Sequence, residues 1–234
     1  LEGRAELADP LAIDLAGFDG VVVSPGVPLN THPIAAHAAA AGVPVIGDIE
    51  LFAQAREAIP AHRVVGITGT NGKSTTTALV HHLLKSAALP ARMGGNIGLP
   101  VLGQEPLPAG GVYVLELSSY QIDLTHSLAC EVAALTNITP DHLDRYDGFA
   151  AYAAAKARLF AMQRPDQTAV FGVGDAETAA IADAEMARRA PGKVLRVDGA
   201  DLVALQPDWP SLQGPHNLQN AAVAVAIVEA LGLS

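Results

Sequence analysis

Residues 66–76 read Gly-Ile-Thr-Gly-Thr-Asn-Gly-Lys-Ser-Thr-Thr, directly after the apolar pair Val64-Val65 and ahead of a helix-like run from Ala78 to Ala87. A strand, a glycine-rich turn and a helix opening on Lys-Ser form a phosphate cradle. Backbone N–H groups of the turn and of the helix N-terminus face an anion. Lys73 reaches the outer phosphates, and the Ser74 hydroxyl can sit on Mg²⁺. Gly69, Thr70, Asn71, Gly72, Lys73, Ser74, Thr75 and Thr76 are therefore expected to hold a nucleoside triphosphate. The general phosphate-loop spacing wants glycine at position 67, where this chain has Ile67 with glycines at 66 and 69 instead. The loop is a variant of the general form. A glycine turn that only caps a helix is the alternative, and it fits the flanking strand and the Lys-Ser pair less well.

Composition narrows the setting. Half of the 234 residues are hydrophobic and only 4% are aromatic, which suits helices packed closely on a sheet. A formal charge of −10 argues against a nucleic-acid partner, because a phosphate backbone needs a cationic surface. Anionic ligands must then be met locally, by Lys73, helix N-termini and metal ions. Cys130 is the only cysteine, so no internal disulfide can form and a reducing compartment is expected. No membrane span and no signal peptide are read in the chain, and the cytoplasm is the expected location. The chain starts on Leu1 and stops inside a helical pattern, Ala221 to Leu231, as a fragment of a longer protein would.

Two βα series are legible. The first has strands at Gly20–Val23 and Val43–Ile46 around a helix from Pro33 to Ala41, then a helical run from Asp48 to Ala58. Pro60 marks a linker. The second predicts strands at 63–67, 112–117, 131–136, 168–171 and 193–197, with helices at 74–87, 149–162, 176–189 and 217–231. The expected fold is α/β: a mostly parallel phosphate-loop ATPase domain at 61–234, preceded at 1–60 by part of a smaller Rossmann-like domain.

Further polar residues stand where such a sheet collects ligands. The apolar run Val112–Leu115 ends in Glu116, placed to hold the nucleotide's Mg²⁺ or simply to add solubility. His142 lies in the Pro-Asp-His-Leu-Asp loop, where imidazole and carboxylates can take a second divalent ion or form an ordinary surface loop. Lys156 sits mid-helix among alanines, and its spacing alone favours a solvated ammonium. Gly94–Gly98 reads as a glycine turn that lets backbone approach a ligand. Asn217 reads as a helix N-cap, and Asn220 as an amide able to meet an adenine edge.

Taken together, Thr-Gly-Thr-Asn-Gly-Lys-Ser-Thr (68–75), Gly-Gly-Asn-Ile-Gly (94–98), Glu-Leu-Ser-Ser-Tyr-Gln (116–121), Asn-Ile-Thr-Pro-Asp-His-Leu-Asp-Arg-Tyr (137–146), Ala-Ala-Lys (154–156) and His-Asn-x-x-Asn (216–220) resemble the Mur ligase family. The forms at 116–121 and 140–146 look like its D-glutamate-adding branch. That resemblance implies an ATP-dependent amide-bond ligase of peptidoglycan synthesis, acting on UDP-N-acetylmuramoyl-L-alanine and D-glutamate. It implies that Lys73 contacts ATP, Ser74 and Glu116 a first Mg²⁺, and His142 with a carbamylated Lys156 a second. Asn217 and Asn220 would then meet the adenine, Asn96 and Ser118 the muramoyl substrate, and Ser24-Pro25-Gly26 the UDP end. It also implies that the start of the UDP-binding domain and a C-terminal amino-acid domain lie outside this chain, and that the protein is a monomer. The rivals are a sister amino-acid ligase of the superfamily and a non-catalytic nucleotide switch.

Overall fold

The computed structural model describes residues 5–233. A small opening unit pairs strand β1 (Val21–Val22) with β2 (Val45–Ile46) in parallel across helix α1 (Pro33–Ala40). Both strands are shorter than the apolar runs suggest, and Leu15, Ala38 and Val43 form a small buried cluster there. Helix α2 (Asp48–Ala55) follows and passes into a 3₁₀ turn at Arg56–Ala58. One buried carboxylate ties this helix to the rest. Glu50 accepts hydrogen bonds from His126 N, Ser127 N, Ser127 Oγ and Gln54 Nε2 at 2.7–3.0 Å. Burial alone would raise its pKa, but these donors outweigh that effect and hold it below the usual value.

The main sheet is entirely parallel and runs β4-β5-β3-β6-β7-β8. Its strands are β3 (His62–Thr68), β4 (Ala91–Gly95), β5 (Gly111–Glu116), β6 (Val132–Leu135), β7 (Thr168–Gly172) and β8 (Val194–Val197). Between and after them come α3 (Lys73–Ser86), α4 (Ser119–Asp123), α5 (Gly148–Ala161), α6 (Ala176–Arg188) and α7 (Pro215–Ala230).

Alternation along β3 splits the core in two. Val64 joins Tyr113, Leu115, Leu135 and Phe171 beneath Tyr152, Leu159 and Phe160 of α5. Val65 and Ile67 face the other way, with Val114, Ala134 and Val170, onto Val80 and Leu84 of α3 and Val223 and Ile227 of α7. Continuous apolar strands covered on both faces are what a parallel sheet requires. Among the described residues, no helix is long and apolar enough to cross a membrane. Cys130 is buried, which pushes its thiol up to about 12 and leaves it inert.

Two expectations need correction. Gly94 and Gly95 belong to edge strand β4 rather than to a free turn, because pairing with β5 overrides their poor strand propensity. Helix α7 begins at Pro215 with Gly214 as its N-cap, so Asn217 lies inside the helix and caps nothing.

Candidate active site

The register of the sheet assembles the site. Ile67 pairs with Glu116 on one side of β3 and Thr68 with Leu135 on the other. The turn 69–72, the carboxyl end of β5 and the loop after β6 therefore share one edge of the sheet, where open α/β sheets bind ligands.

The turn is held from the β6 side. Thr136 Oγ1 and Asn137 Nδ2 both donate to Asn71 O, at 2.7 and 2.9 Å, while Asn71 N donates to Asn137 Oδ1 at 3.0 Å. Thr70 Oγ1 donates to Thr139 O and lies 3.2 Å from the Tyr152 hydroxyl. Gly72 takes φ 80° as the N-cap of α3, and a Cβ there would strike the Asn220 amide. Gly72→Ala is expected to cost about 1–3 kcal/mol, from left-handed strain plus displacement of Asn220. Urea unfolding measures it, together with weaker nucleotide binding. A midpoint equal to wild type would contradict this account of the turn.

Two lysine side chains converge beneath the turn. Lys73 Nζ donates to Gly69 O at 3.0 Å and Thr70 O at 2.9 Å, and Lys156 Nζ donates to the same Gly69 O at 2.8 Å. Lys156 is 1% exposed, and its Nζ lies 4.6 Å over the Tyr152 ring. Burial, then the charge of Lys73, lowers its pKa to about 7, against weaker opposition from Asp141 and Asp123. Burial also lowers Lys73, while Glu116 and Asp141 pull it back up. Close to neutral pH, then, Lys156 has a substantial neutral-amine population.

Glu116 is 1% exposed. Its Oε1 accepts from Asn96 Nδ2 at 2.9 Å, and its Oε2 has no hydrogen-bond partner. An orphaned carboxylate oxygen is costly to bury unless a cation or donor meets it, so this group fits a divalent ion. Among the described residues, no three His, Cys, Asp or Glu side chains cluster as a protein-only metal cage. A magnesium ion here would need further ligands that are not carboxylate or imidazole, such as a hydroxyl, phosphate oxygens and water.

The remaining sequence candidates divide. His142 adopts φ 51°, is half-exposed, and stands 3.6 Å from Asp141 with its ring 5.0 Å from Tyr120 and 6.1 Å from Tyr152. Ser118 caps α4 in a reciprocal box with Gln121. The Ser24–Pro28 turn closes through Val27 N to Ser24 O. Asn220 lines a cavity of about 500 Å³ with Asn71, Gly72, Asn137, Asp175 and Gln219. Asn217 does not line it and donates to Gln213 O.

Several contributors were not singled out from sequence. Tyr152 stands four residues before Lys156 on one helix face, a spacing that could have marked it. Gln219 donates to Thr136 O at 2.9 Å and helps wall the cavity. Arg145 was visible only as part of a motif.

Comparison with known proteins agrees with this fold. Residues 67–199 match the model of the Mur ligase middle domain. The UDP-N-acetylmuramoylalanine–D-glutamate ligase of Novosphingobium aromaticivorans is 72% identical over 233 residues, covering 100% of this chain and 52% of that protein. The protein of the same name from Zymomonas mobilis is 55% identical over 237 residues, with 100% and 53% covered. The chain thus spans about half the length of these curated relatives. Among solved structures, the UDP-N-acetylmuramate:L-alanyl-gamma-D-glutamyl-meso-diaminopimelate ligase from Neisseria meningitides superposes with a TM-score of 0.63 at 18% identity, over 92% of this chain and 75% of that one. MurF from Acinetobacter baumannii gives 0.60 at 21% identity, over 87% and 55%. With its phosphate-loop turn, its parallel sheet and more than half its length matched by that one domain model, this chain belongs to the Mur ligase family.

Proposed function

We propose that the full-length protein is an ATP-dependent ligase that joins D-glutamate to UDP-N-acetylmuramoyl-L-alanine in peptidoglycan synthesis. Residues 1–60 serve as part of the sugar-nucleotide domain and 61–234 as the central ATP-binding domain. The observation that carries this reading is the pair of lysines on Gly69 O beside the unpartnered oxygen of Glu116.

The turn 69–72 and the N-terminus of α3 bind the ATP phosphates through backbone N–H groups. Lys73 exchanges its two carbonyl partners for phosphate oxygens. The acceptor's L-alanyl carboxylate attacks the γ-phosphorus and ADP leaves, giving an acyl phosphate. The D-glutamate amine then adds to the acyl carbon, and phosphate departs as the amide forms. Positioning and charge neutralisation supply the acceleration, as in other phosphoryl transfers. Ser74 and Glu116 would hold one Mg²⁺, and His142 with the carbamate of Lys156 a second. Such ions neutralise charge on the phosphates.

Lys156 suits carbamylation because only a neutral amine attacks CO₂, and its pKa of about 7 leaves that form available. Asn220, on the wall of the large cavity, meets the adenine, with Asn217 on the same helix behind it. Asn96 and Ser118 face the muramoyl part and Ser24-Pro25-Gly26 the UDP end. The identity of 72% to a D-glutamate ligase supports this substrate choice.

The full-length protein, given ATP, Mg²⁺ and UDP-N-acetylmuramoyl-L-alanine, is expected to consume D-glutamate in preference to L-glutamate, L-alanine or meso-diaminopimelate. One ADP should form per amide. Preference for another amino acid would overturn the assignment.

A further inference from the structure

Arg145 makes no ion pair among the described residues, although the chain carries a net charge of −10. Its guanidinium instead spans the distance between the opening unit and the main sheet. Nη2 donates to Val27 O at 3.0 Å and Nη1 to Gly26 O at 3.4 Å, while Cζ lies 4.3 Å over the Tyr120 ring. Tyr120 in turn packs against His142 at 5.0 Å and stacks on Tyr146 at 6.0 Å. Tyr146 is itself fixed, because its hydroxyl donates to Asp123 Oδ2 at 2.7 Å.

The guanidinium plane is therefore gripped between an aromatic face and two carbonyls of the Ser24–Pro28 turn. Pro25, Val27, Tyr120, Asp123, Arg145 and Tyr146 line a cavity of about 180 Å³ at this junction. A guanidinium has five N–H donors; the two carbonyls that accept from Arg145 are neutral, and the Asp123 carboxylate in the same cavity acts on its charge only at a distance, without pairing with it. An anion arriving here would gain a cation without first breaking a salt bridge.

We propose that Arg145 is a positioning residue for the anionic sugar-nucleotide acceptor. It holds the Gly26–Val27 turn against the Tyr120–His142 face, which sets the distance from the acceptor's bound end to the phosphate loop. Its remaining N–H groups meet the acceptor itself. The inference rests on the ligase reading above and adds a residue to it.

Steady-state kinetics of the full-length enzyme test it, with Arg145→Met and Arg145→Lys. Arg145→Met is expected to raise KM for UDP-N-acetylmuramoyl-L-alanine by about ten- to a hundredfold, the factor that one or two lost charge-assisted hydrogen bonds imply. KM for ATP and for D-glutamate should stay at wild-type values. Arg145→Lys should fall between, since a point ammonium cannot serve both carbonyls and stack on Tyr120. An unchanged acceptor KM, or equal rises in all three, would overturn the proposal. Should wild type fail to ligate, the ligase reading itself falls. Calorimetric binding of UDP-N-acetylmuramoyl-L-alanine to wild type and Arg145→Met then still decides the role of Arg145, equal or absent affinity counting against it.

Discussion

Lys73→Ala in the full-length enzyme is expected to lower kcat/KM for ligation by about 10²–10³-fold or more, the loss typical of removing one preorganised group that stabilises developing charge. The fold should survive. The Nζ bonds to Gly69 O and Thr70 O are worth about 1 kcal/mol each, and removing a half-desolvated ammonium returns part of that. Both carbonyls lie in a turn that Thr136 and Asn137 hold independently at Asn71. Circular dichroism and urea unfolding should thus match wild type closely while ATP turnover collapses. Activity close to wild type would remove Lys73 from phosphoryl transfer and leave the cradle without its cation.

Lys156→Ala is expected to abolish most ligation and to regain part of it when formate or acetate is supplied, because a short carboxylate can occupy the place of the carbamate. Full activity without added carboxylate would exclude that role. A second readout follows from the proton balance. In the folded chain unmodified Lys156 titrates near pH 7, against 10.5 for a free lysine. Between those values the unfolded chain binds the extra proton, so stability rises with pH across that window. Below pH 7 both states are protonated and the cost of burying the charge is fully present, about 1.4 kcal/mol for each pH unit by which the pKa is lowered. In CO₂-free buffer, Lys156→Met should therefore gain most over wild type at pH 6 and least at pH 10. Urea midpoints across that range measure it, and a flat difference would contradict the buried amine.

What could be read along the chain was whatever local sequence decides. The β3–turn–α3 unit is such a case, because Val64–Thr68, the glycines and Lys73 are contiguous and each favours its observed state. Glu116 was legible for the same reason, at the end of an apolar strand. Edge strand β4 was not, since Gly94, Gly95 and Arg92 become strand only by pairing with β5. Helix α4 is five residues long, too short for a periodic signal. The convergence of Lys156 on Gly69 spans 87 residues and that of Arg145 on Gly26 spans 119, distances over which spacing says nothing. Family resemblance supplied the expectation for Lys156, and the shared carbonyl and lowered pKa are the physical support for proposing it. Asn217 misled because Asn is a common N-cap, whereas Gly214 and Pro215 already start the helix.

The central claim is that this turn delivers the γ-phosphate of ATP to a carboxylate. Labelling the L-alanyl carboxylate of the acceptor with ¹⁸O tests it without reference to any mutant. Passage through an acyl phosphate predicts that one labelled oxygen leaves in the inorganic phosphate at each turnover of the full-length enzyme. Phosphate free of label, formed alongside a normal yield of amide, would contradict it.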